Sequence, residues 1–241
     1  MLKVERQEGI LRILHEKQHA SMDLLAKELF VSPATVRRDV LEMEASGLVK
    51  RRYGGVSLAE GGARQTESLD LRIRENREIK KKLARRAAAL VHDGDTVLLD
   101  SSSTVLEMVP FLAEHKNITV VTNSLRTAEA LQKARISVYC TGGFCGEDAA
   151  TLSGSIAETS LRSFNTDLFF FSSRGISDRG MVSDSSDSST QIRRVMMRQA
   201  QRSVLLCDSS KLGKKYLFSL CHVSDIDTVL CDQPLPESCF E

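Results

Sequence analysis

Tryptophan is absent from this sequence, and only 3 tyrosines and 4 prolines occur among its 241 residues. Proline and glycine (4 and 14) are too scarce for a collagen-like, mucin-like or low-complexity chain. Net charge is nearly absent as well: 33 Lys+Arg against 32 Asp+Glu leaves +1. That excludes a basic coat or an acidic tail, but not local clusters. No apolar run approaches the length that spans a bilayer. The opening MLKVERQEGI is charged at once and lacks an apolar signal core, so a cytoplasmic location and no membrane partner are expected. Paired-cysteine motifs are missing too. The six cysteines stand at 140, 145, 207, 221, 231 and 239, with no CxxC and no His at metal-ligand spacing. They read as scattered free thiols in a reducing compartment, with Cys140 and Cys207 as small apolar fillers at strand ends. Neither a metal nor a cofactor is expected.

What is present is a 41% hydrophobic chain, enough for a sizeable core, with uneven patterning. It divides into a module at 1–57, a linker at 58–75, a larger domain at 76–232 and a tail at 233–241. In the first module Val4, Ile10, Ile13 and Leu14 recur at helical spacing, and a polar break follows at 17–20. Ser21 then caps a short helix with Met22, Leu25, Ala26 and Leu29 inward. After a turn at Phe30-Val31, Ser32 caps a third helix that opens on Pro33, where a missing N–H costs nothing. Val36, Val40, Leu41 and Met43 face its core, while Thr35, Arg37 and Arg38 share the other side. Leu48–Tyr53 reads as a strand and Gly54-Gly55 as the turn into a second one. Three helices and a two-stranded ribbon describe a winged helix-turn-helix that places its third helix in the major groove of double-stranded DNA. Ser32 and Thr35 can reach phosphate or a base edge. One of Arg37 and Arg38 can read a guanine while the other grips phosphate. Lys50, Arg51, Arg52 and Tyr53 furnish the wing.

From Arg64 to Arg86 there are 9 Lys/Arg against 4 Asp/Glu. The stretch merges into a helix expected over 74–90, with Ile79, Leu83, Ala87 and Leu90 inward and Lys80, Lys81, Lys82, Arg85 and Arg86 mostly solvated. Beyond it, apolar strands (TVLLD, ITVVT, SVYCT, DLFFFS, SVLLCD, TVLC) alternate with helical stretches at 104–114, 125–133, 155–164 and 191–200. Such a pattern means an α/β domain whose mostly parallel sheet is covered on both faces. Ligands of such sheets bind beyond the C-terminal strand ends. Those ends read Asp100-Ser101-Ser102-Ser103-Thr104, Thr122-Asn123-Ser124, Gly142-Gly143, Ser172-Ser173-Arg174-Gly175 and Asp208-Ser209-Ser210-Lys211. Hydroxyls at helix starts and a lysine suit phosphate, and the two aspartates suit hydroxyls. A phosphorylated sugar or a related small anionic metabolite fits both. An isomerase, deaminase or CoA transferase on the same sheet is the rival reading, but its acid–base chemistry finds only Asp100, Glu147, Asp148 and Asp208 on the rim and no clear constellation around His92 or His222.

The run Ser32-x-x-Thr35-Val36-Arg37-Arg38-Asp39-Val40, with Arg6, Leu48 and Arg52-Tyr53-Gly54-Gly55, resembles the DeoR family of bacterial transcriptional regulators. The larger domain resembles that family's effector domain at the rim segments above and at Gly154, Asp167, Gly175-Ile176, Gly180 and Met196. The resemblance implies a fold related to ribose-5-phosphate isomerase, glucosamine-6-phosphate deaminase and CoA transferases. It also implies an operator-bound repressor of a carbohydrate-metabolism operon, a homodimer or homotetramer. Its sugar-phosphate effector would be held by the loops that start at Asp100, Thr122, Gly142 and Asp208. Two positions depart from the family pattern: Ser102 stands where glycine is usual, and Ser189 where glutamate is usual.

Overall fold

The computed structural model of the protein describes residues 3–17, 19–45, 48–52, 54–58, 69–145 and 151–240. The chain divides into two units, Met1–Gln65 and Thr66–Glu241.

The first unit contains helices α1 (Lys3–Lys17), α2 (Met22–Glu28) and α3 (Pro33–Ala45) and strands β1 (His19–Ala20), β2 (Val49–Arg52) and β3 (Gly55–Leu58), the strands ordered β1-β3-β2. Ile10, Leu11, Ile13 and Leu14 of α1 pack with Leu25 and Ala26 of α2 and with Val36, Val40 and Met43 of α3. Ser21 caps α2 by accepting the Leu24 N–H at 3.1 Å. Leu41, expected in this core, is 48% exposed, because one residue's step turns it about 100° around the helix from Val40. The buried face takes Asp39 instead, gripped by Arg6 of α1 through Nε to Oδ2 at 2.7 Å and Nη2 to Oδ1 at 3.1 Å. The polar break at 17–20 holds a strand, β1, which pairs with β3 at His19↔Ser57 and Ala20↔Val56. Gly55 admits it: a Cβ there would stand 2.4 Å from the Ala20 carbonyl oxygen. β2 and β3 form a hairpin with Arg52 opposite Gly55, and Gly54 takes the positive φ of 93° that a two-residue connection requires.

The second unit opens with α4 (Leu69–Arg74) and α5 (Arg77–Ala88). The single helix expected over 74–90 is therefore broken, with Asn76 left-handed at φ 51°, a conformation asparagine tolerates. There follow β4 (Thr96–Leu99), α6 (Ser103–Leu106), α7 (Val109–Leu112), β5 (Thr119–Thr122), α8 (Leu125–Lys133), β6 (Ser137–Cys140), β7 (Phe144–Cys145), β8 (Leu152–Ser153), α9 (Ser155–Leu161) and β9 (Thr166–Phe171). Then come β10 (Gly175–Ile176), β11 (Met181–Asp184), α10 (Asp187–Gln199), β12 (Ala200–Cys207), β13 (Phe218–His222) and β14 (Thr228–Cys231). The helix expected over 104–114 is two single turns, α6 and α7. Pro110 has no N–H to donate to Leu106, so a continuous helix cannot run through it.

Six strands form one sheet in the order β14-β12-β9-β4-β5-β6, every pair parallel. Alternation sorts their side chains to two faces. Val97, Leu99, Val120, Leu168, Phe170, Val204 and Leu206 meet Leu83, Ala87, Val105, Met108, Leu112 and Leu131 from α5 to α8. Leu98, Val121, Phe169, Phe171, Leu205 and Cys207 meet Ala157, Leu161, Ile192, Val195 and Met196 of α9 and α10. These are the three layers that the run of apolar strands implied. Beside them lie an antiparallel sheet ordered β10-β11-β13 and the hairpin β7-β8, neither of which the sequence pattern announces. Among the described residues no helix is long and apolar enough to cross a membrane.

β5 and β6 lie on one side of β4, and β9, β12 and β14 on the other. The strand order thus reverses between β4 and β9, the kind of switch point at whose C-terminal strand ends ligands of parallel sheets bind.

Candidate functional site

In the first unit, α3 presents its N-terminus and one polar face. Ser32 Oγ accepts the Thr35 N–H at 3.2 Å and lies 2.9 Å from Thr35 Oγ1, so both hydroxyls are fixed at the helix start. Arg37 and Arg38 are exposed, and among the described residues neither forms an ion pair. On β2, Lys50 is exposed. Arg51 is held by Glu44 instead: its Nε lies 2.6 Å from Oε2, and its backbone N–H donates to Oε1 at 2.9 Å. These two bonds lower the Glu44 carboxyl below its usual range. Arg52 lies on β2 opposite Gly55, and Tyr53 lies outside the described residues. The helix and the hairpin are tied to one frame, since α3 is anchored by Arg6–Asp39 and the hairpin by β1.

In the second unit, the expected rim residues fall at the C-terminal strand ends, and most turn inward. Asp100 is 1% exposed. Its Oδ1 accepts the Ser102 N–H at 2.9 Å, and its Oδ2 accepts Ser172 N–H at 3.3 Å and Arg193 Nε at 2.8 Å. It is therefore an internal brace for the loops after β4 and β9. Ser102 caps α6 through the Val105 N–H at 3.2 Å. Ser101, Ser103 and Thr104 are also buried, and α6 is a single turn with little dipole to offer. After β5, Thr122 Oγ1 accepts Ser124 N–H and Ser124 Oγ caps α8 through Thr127 N–H. Asn123 Nδ2 donates to the Leu152 carbonyl at 3.0 Å, which leaves its Oδ1 without a hydrogen-bond partner although the residue is 1% exposed. Thr104 Oγ1 is likewise buried and unpartnered. Buried polar atoms are rarely left so, and such orphans fit a site for an absent donor. Gly142 and Gly143 both have positive φ, but only Gly142 faces open space. A Cβ on Gly143 would stand 2.7 Å from the Ser153 carbonyl oxygen, so that glycine makes room for β8 and α9, not for a ligand.

The loops after β4, β9 and β12 converge on two lysines. Lys211 Nζ donates to Ser172 Oγ at 2.7 Å and lies 3.6 Å from Asp208 Oδ2. Asp208 Oδ1 also accepts from Asn76 Nδ2 at 3.2 Å and from Ser210 Oγ. Burial would raise the Asp208 carboxyl, but Lys211, Ser210, Lys80 and Asn76 together hold it below the usual range. Lys80, expected on the solvated face of its helix, is 4% exposed. Its Nζ donates to Ser103 Oγ at 3.2 Å and to the Arg72 carbonyl. Burial, and then repulsion from Lys211, push its ammonium down to about 8. Lys80 stands three, four and seven residues before Leu83, Ala84 and Ala87, on the buried face of α5, so the helical period itself carries it inward. Arg193, also unforeseen, is buried on α10 and bridges two carboxylates, Asp100 and, through Nη1 at 2.8 Å, Asp184 Oδ2. Burial alone would lower its guanidinium, yet the two carboxylates raise it. Asp184 answers in kind: burial raises it, but Arg193 and Arg174 bring it below normal. Arg174, expected to face a ligand, thus has Asp184 as a neighbour. The thiols differ from expectation at Cys140, which is exposed because it ends the edge strand β6, while Cys207 is buried.

Comparison with known proteins matches both units. The family model for a DeoR-like helix-turn-helix domain covers residues 6–61, and that for the DeoR C terminal sensor domain covers residues 75–233. The transcriptional regulator GolR of Listeria innocua is 30% identical over all of this chain and 95% of its own length. The transcriptional repressor AccR of Agrobacterium fabrum is 32% identical over 95% of this chain and 89% of its own. Among solved structures, eIF2B delta from Chaetomium thermophilum is similar in fold, with a TM-score of 0.50 and 20% identity over 67% of this chain and 58% of that one.

Proposed function

Because the chain belongs to the DeoR family of transcriptional regulators, and so stands with regulators, not enzymes, we propose that it represses a carbohydrate-metabolism operon whose sugar phosphate controls its grip on DNA. Arg37, Arg38, Ser32 and Thr35 enter the major groove, with Lys50, Arg52 and Tyr53 of the hairpin on the flanking backbone. Arg51 joins them by exchanging Glu44 for phosphate. A homodimer or homotetramer would set two such heads a whole number of DNA turns apart.

One observation carries the ligand reading. Lys80 and Lys211 repel one another in a rim where Lys80 is buried and depressed to about 8. Their facing charges are incompletely offset by Asp208, and a phosphate dianion would complete the balance. Ser103, Ser172 and Ser210 supply hydroxyls to its oxygens. The unpartnered Asn123 Oδ1 and Thr104 Oγ1 suit hydroxyls of the sugar. Asp100 braces the loops from behind. Binding changes DNA affinity only to the extent that the ligand prefers one arrangement of the protein over another.

Calorimetric titration with a panel of phosphorylated sugars tests this, with operator binding measured for each hit. Lys211→Ala should weaken the hit at least tenfold and leave DNA affinity in the absence of ligand unchanged. A panel without a single binder, or a hit that ignores Lys211, overturns the reading.

A further inference from the structure

Cys207 ends β12 and Cys231 ends β14, and the two strands pair in parallel with these residues directly opposite. Residues opposed across a ladder project to the same face, with Cα atoms about 4.8 Å apart. That spacing lies inside the window of roughly 4.4–6.8 Å that a disulfide bridges. The Cys207 thiol is buried and donates to the Asp208 carbonyl at 3.4 Å, and the Cys231 thiol lies 3.7 Å from Asp232 Oδ1. β14 is the outer strand of the six-stranded sheet, and Cys231 is only partly covered, so a small oxidant reaches it from the edge. The neighbouring Cys207, helped by the backbone N–H groups of Gln233 and Asp232, brings Cys231 down to about 7 against the opposing effect of burial. Its thiolate is then well populated at neutral pH, beside a protonated partner thiol. The other cysteines offer no such arrangement among the described residues: Cys221 is pushed up to about 12 by burial, and Cys239 is buried.

We propose that Cys207 and Cys231 form an oxidative modification site at which hydrogen peroxide closes an intrachain disulfide across the β12–β14 edge. The Cys231 thiolate attacks one peroxide oxygen, the O–O bond breaks, and the other oxygen leaves as hydroxide and takes up a proton to become water. Cys231 is now a sulfenic acid. Cys207 gives up its proton, its sulfur attacks the Cys231 sulfur, and the S–OH oxygen leaves as a second water. Two thiols have been oxidised and one peroxide reduced to two waters. The pair sits at the root of a turn. Asp232, next to Cys231, accepts the Ser209 N–H at 2.6 Å and the Ser209 hydroxyl at 2.9 Å. Asp208, next to Cys207, pairs with Lys211. Joining the two sulfurs turns both side chains toward one another and perturbs the neighbouring Asp208 and Asp232, the carboxylates that hold the segment from Ser209 to Lys211.

The experiment treats the full-length reduced protein with a small excess of hydrogen peroxide, then maps disulfides by mass spectrometry after blocking free thiols. The expected product is one crosslink between the Cys207 and Cys231 peptides, with a fall from six free thiols to four. In Cys207→Ser, Cys231 should accumulate as a sulfenic acid that dimedone traps, and in Cys231→Ser no crosslink should form. Hydrogen exchange across residues 208–212 should differ between the oxidised and reduced protein, and stay constant in Cys231→Ser. None of these readings needs a bound sugar phosphate, so they stand or fall apart from the ligand assignment. Oxidation confined to Cys140 and Cys145, or Cys231 advancing to a sulfinic acid without a crosslink, would overturn the proposal. An unchanged exchange pattern after crosslinking would overturn its link to the turn.

Discussion

Replacing Lys80 with methionine should stabilise the protein and at the same time disable the proposed anion site. The structure holds this ammonium in a buried position, with its pKa lowered from the ordinary 10.5 to about 8 by burial and by Lys211. A fall of that size is worth about 3 kcal/mol at ~1.4 kcal/mol per pH unit, and it measures what keeping the charge costs the folded state at neutral pH. Methionine has no charge to keep, but it gives up the bonds to Ser103 Oγ and the Arg72 carbonyl, each worth about 1 kcal/mol. The expected net is a gain of about 1 kcal/mol at pH 7. The pH dependence gives the sign a second check. A lysine with a depressed folded pKa costs stability in full below about 8, and the cost fades as pH rises towards 10.5. The wild-type protein should therefore gain on Lys80→Met between pH 8 and 10 and overtake it there. Urea denaturation followed by circular dichroism serves, since there is no tryptophan to report. A loss of more than 1 kcal/mol in Lys80→Met at pH 7, or a gap between the two proteins that ignores pH, would refute the assignment of a strained charge. Retention of full sugar-phosphate affinity would refute its part in the site.

Further outcomes follow from other side chains. Arg37→Ala should cost about 1–3 kcal/mol on a cognate operator and relax one base position; an equal loss on every sequence, read by competition binding, would make it a phosphate contact. Arg193→Met should destabilise the second unit by about 3–5 kcal/mol at pH 7 by stranding Asp100 and Asp184. In that variant the buried Asp184 loses its counter-charge and its folded pKa rises, so the deficit should shrink as pH falls towards 4, which denaturation at several pH values would show. Phe30→Gly should stabilise the first unit by about 1 kcal/mol, because Phe30 is 93% exposed and sits at φ 54°, a left-handed conformation that costs any residue with a Cβ. A lowered melting temperature would show that the ring has a packing role after all.

The parallel sheet was legible because its central strands β4, β5, β9 and β12 are apolar on both sides, which only a doubly covered strand can be. The recognition helix was legible because Ser32, Pro33 and the apolar spacing from Val36 to Met43 state its start and its face. What escaped was whatever depends on pairing across distance. The burial of Asp39 is explained only once Arg6, 33 residues away, is seen against it. Lys80 reads as a solvated charge because of its type, although its spacing to Leu83, Ala84 and Ala87 puts it on the buried face, and nothing local signals the partners of Arg193. Their partners lie 8 or more residues away. Gly143 carried a true signal with the wrong object, because a glycine announces a close approach without naming what approaches. The strands of two residues, β1, β7, β8 and β10, have no period to detect.

The Arg6–Asp39 fork has a mechanical meaning as well as an energetic one. It spans from the first helix to the helix that reads DNA, and β1 fastens the hairpin to the same body. These ties oppose flexing of the reading surface to suit a poor sequence. If a ligand controls the grip on DNA as proposed, it would act by moving this head as a rigid tool, its cutting edge already set.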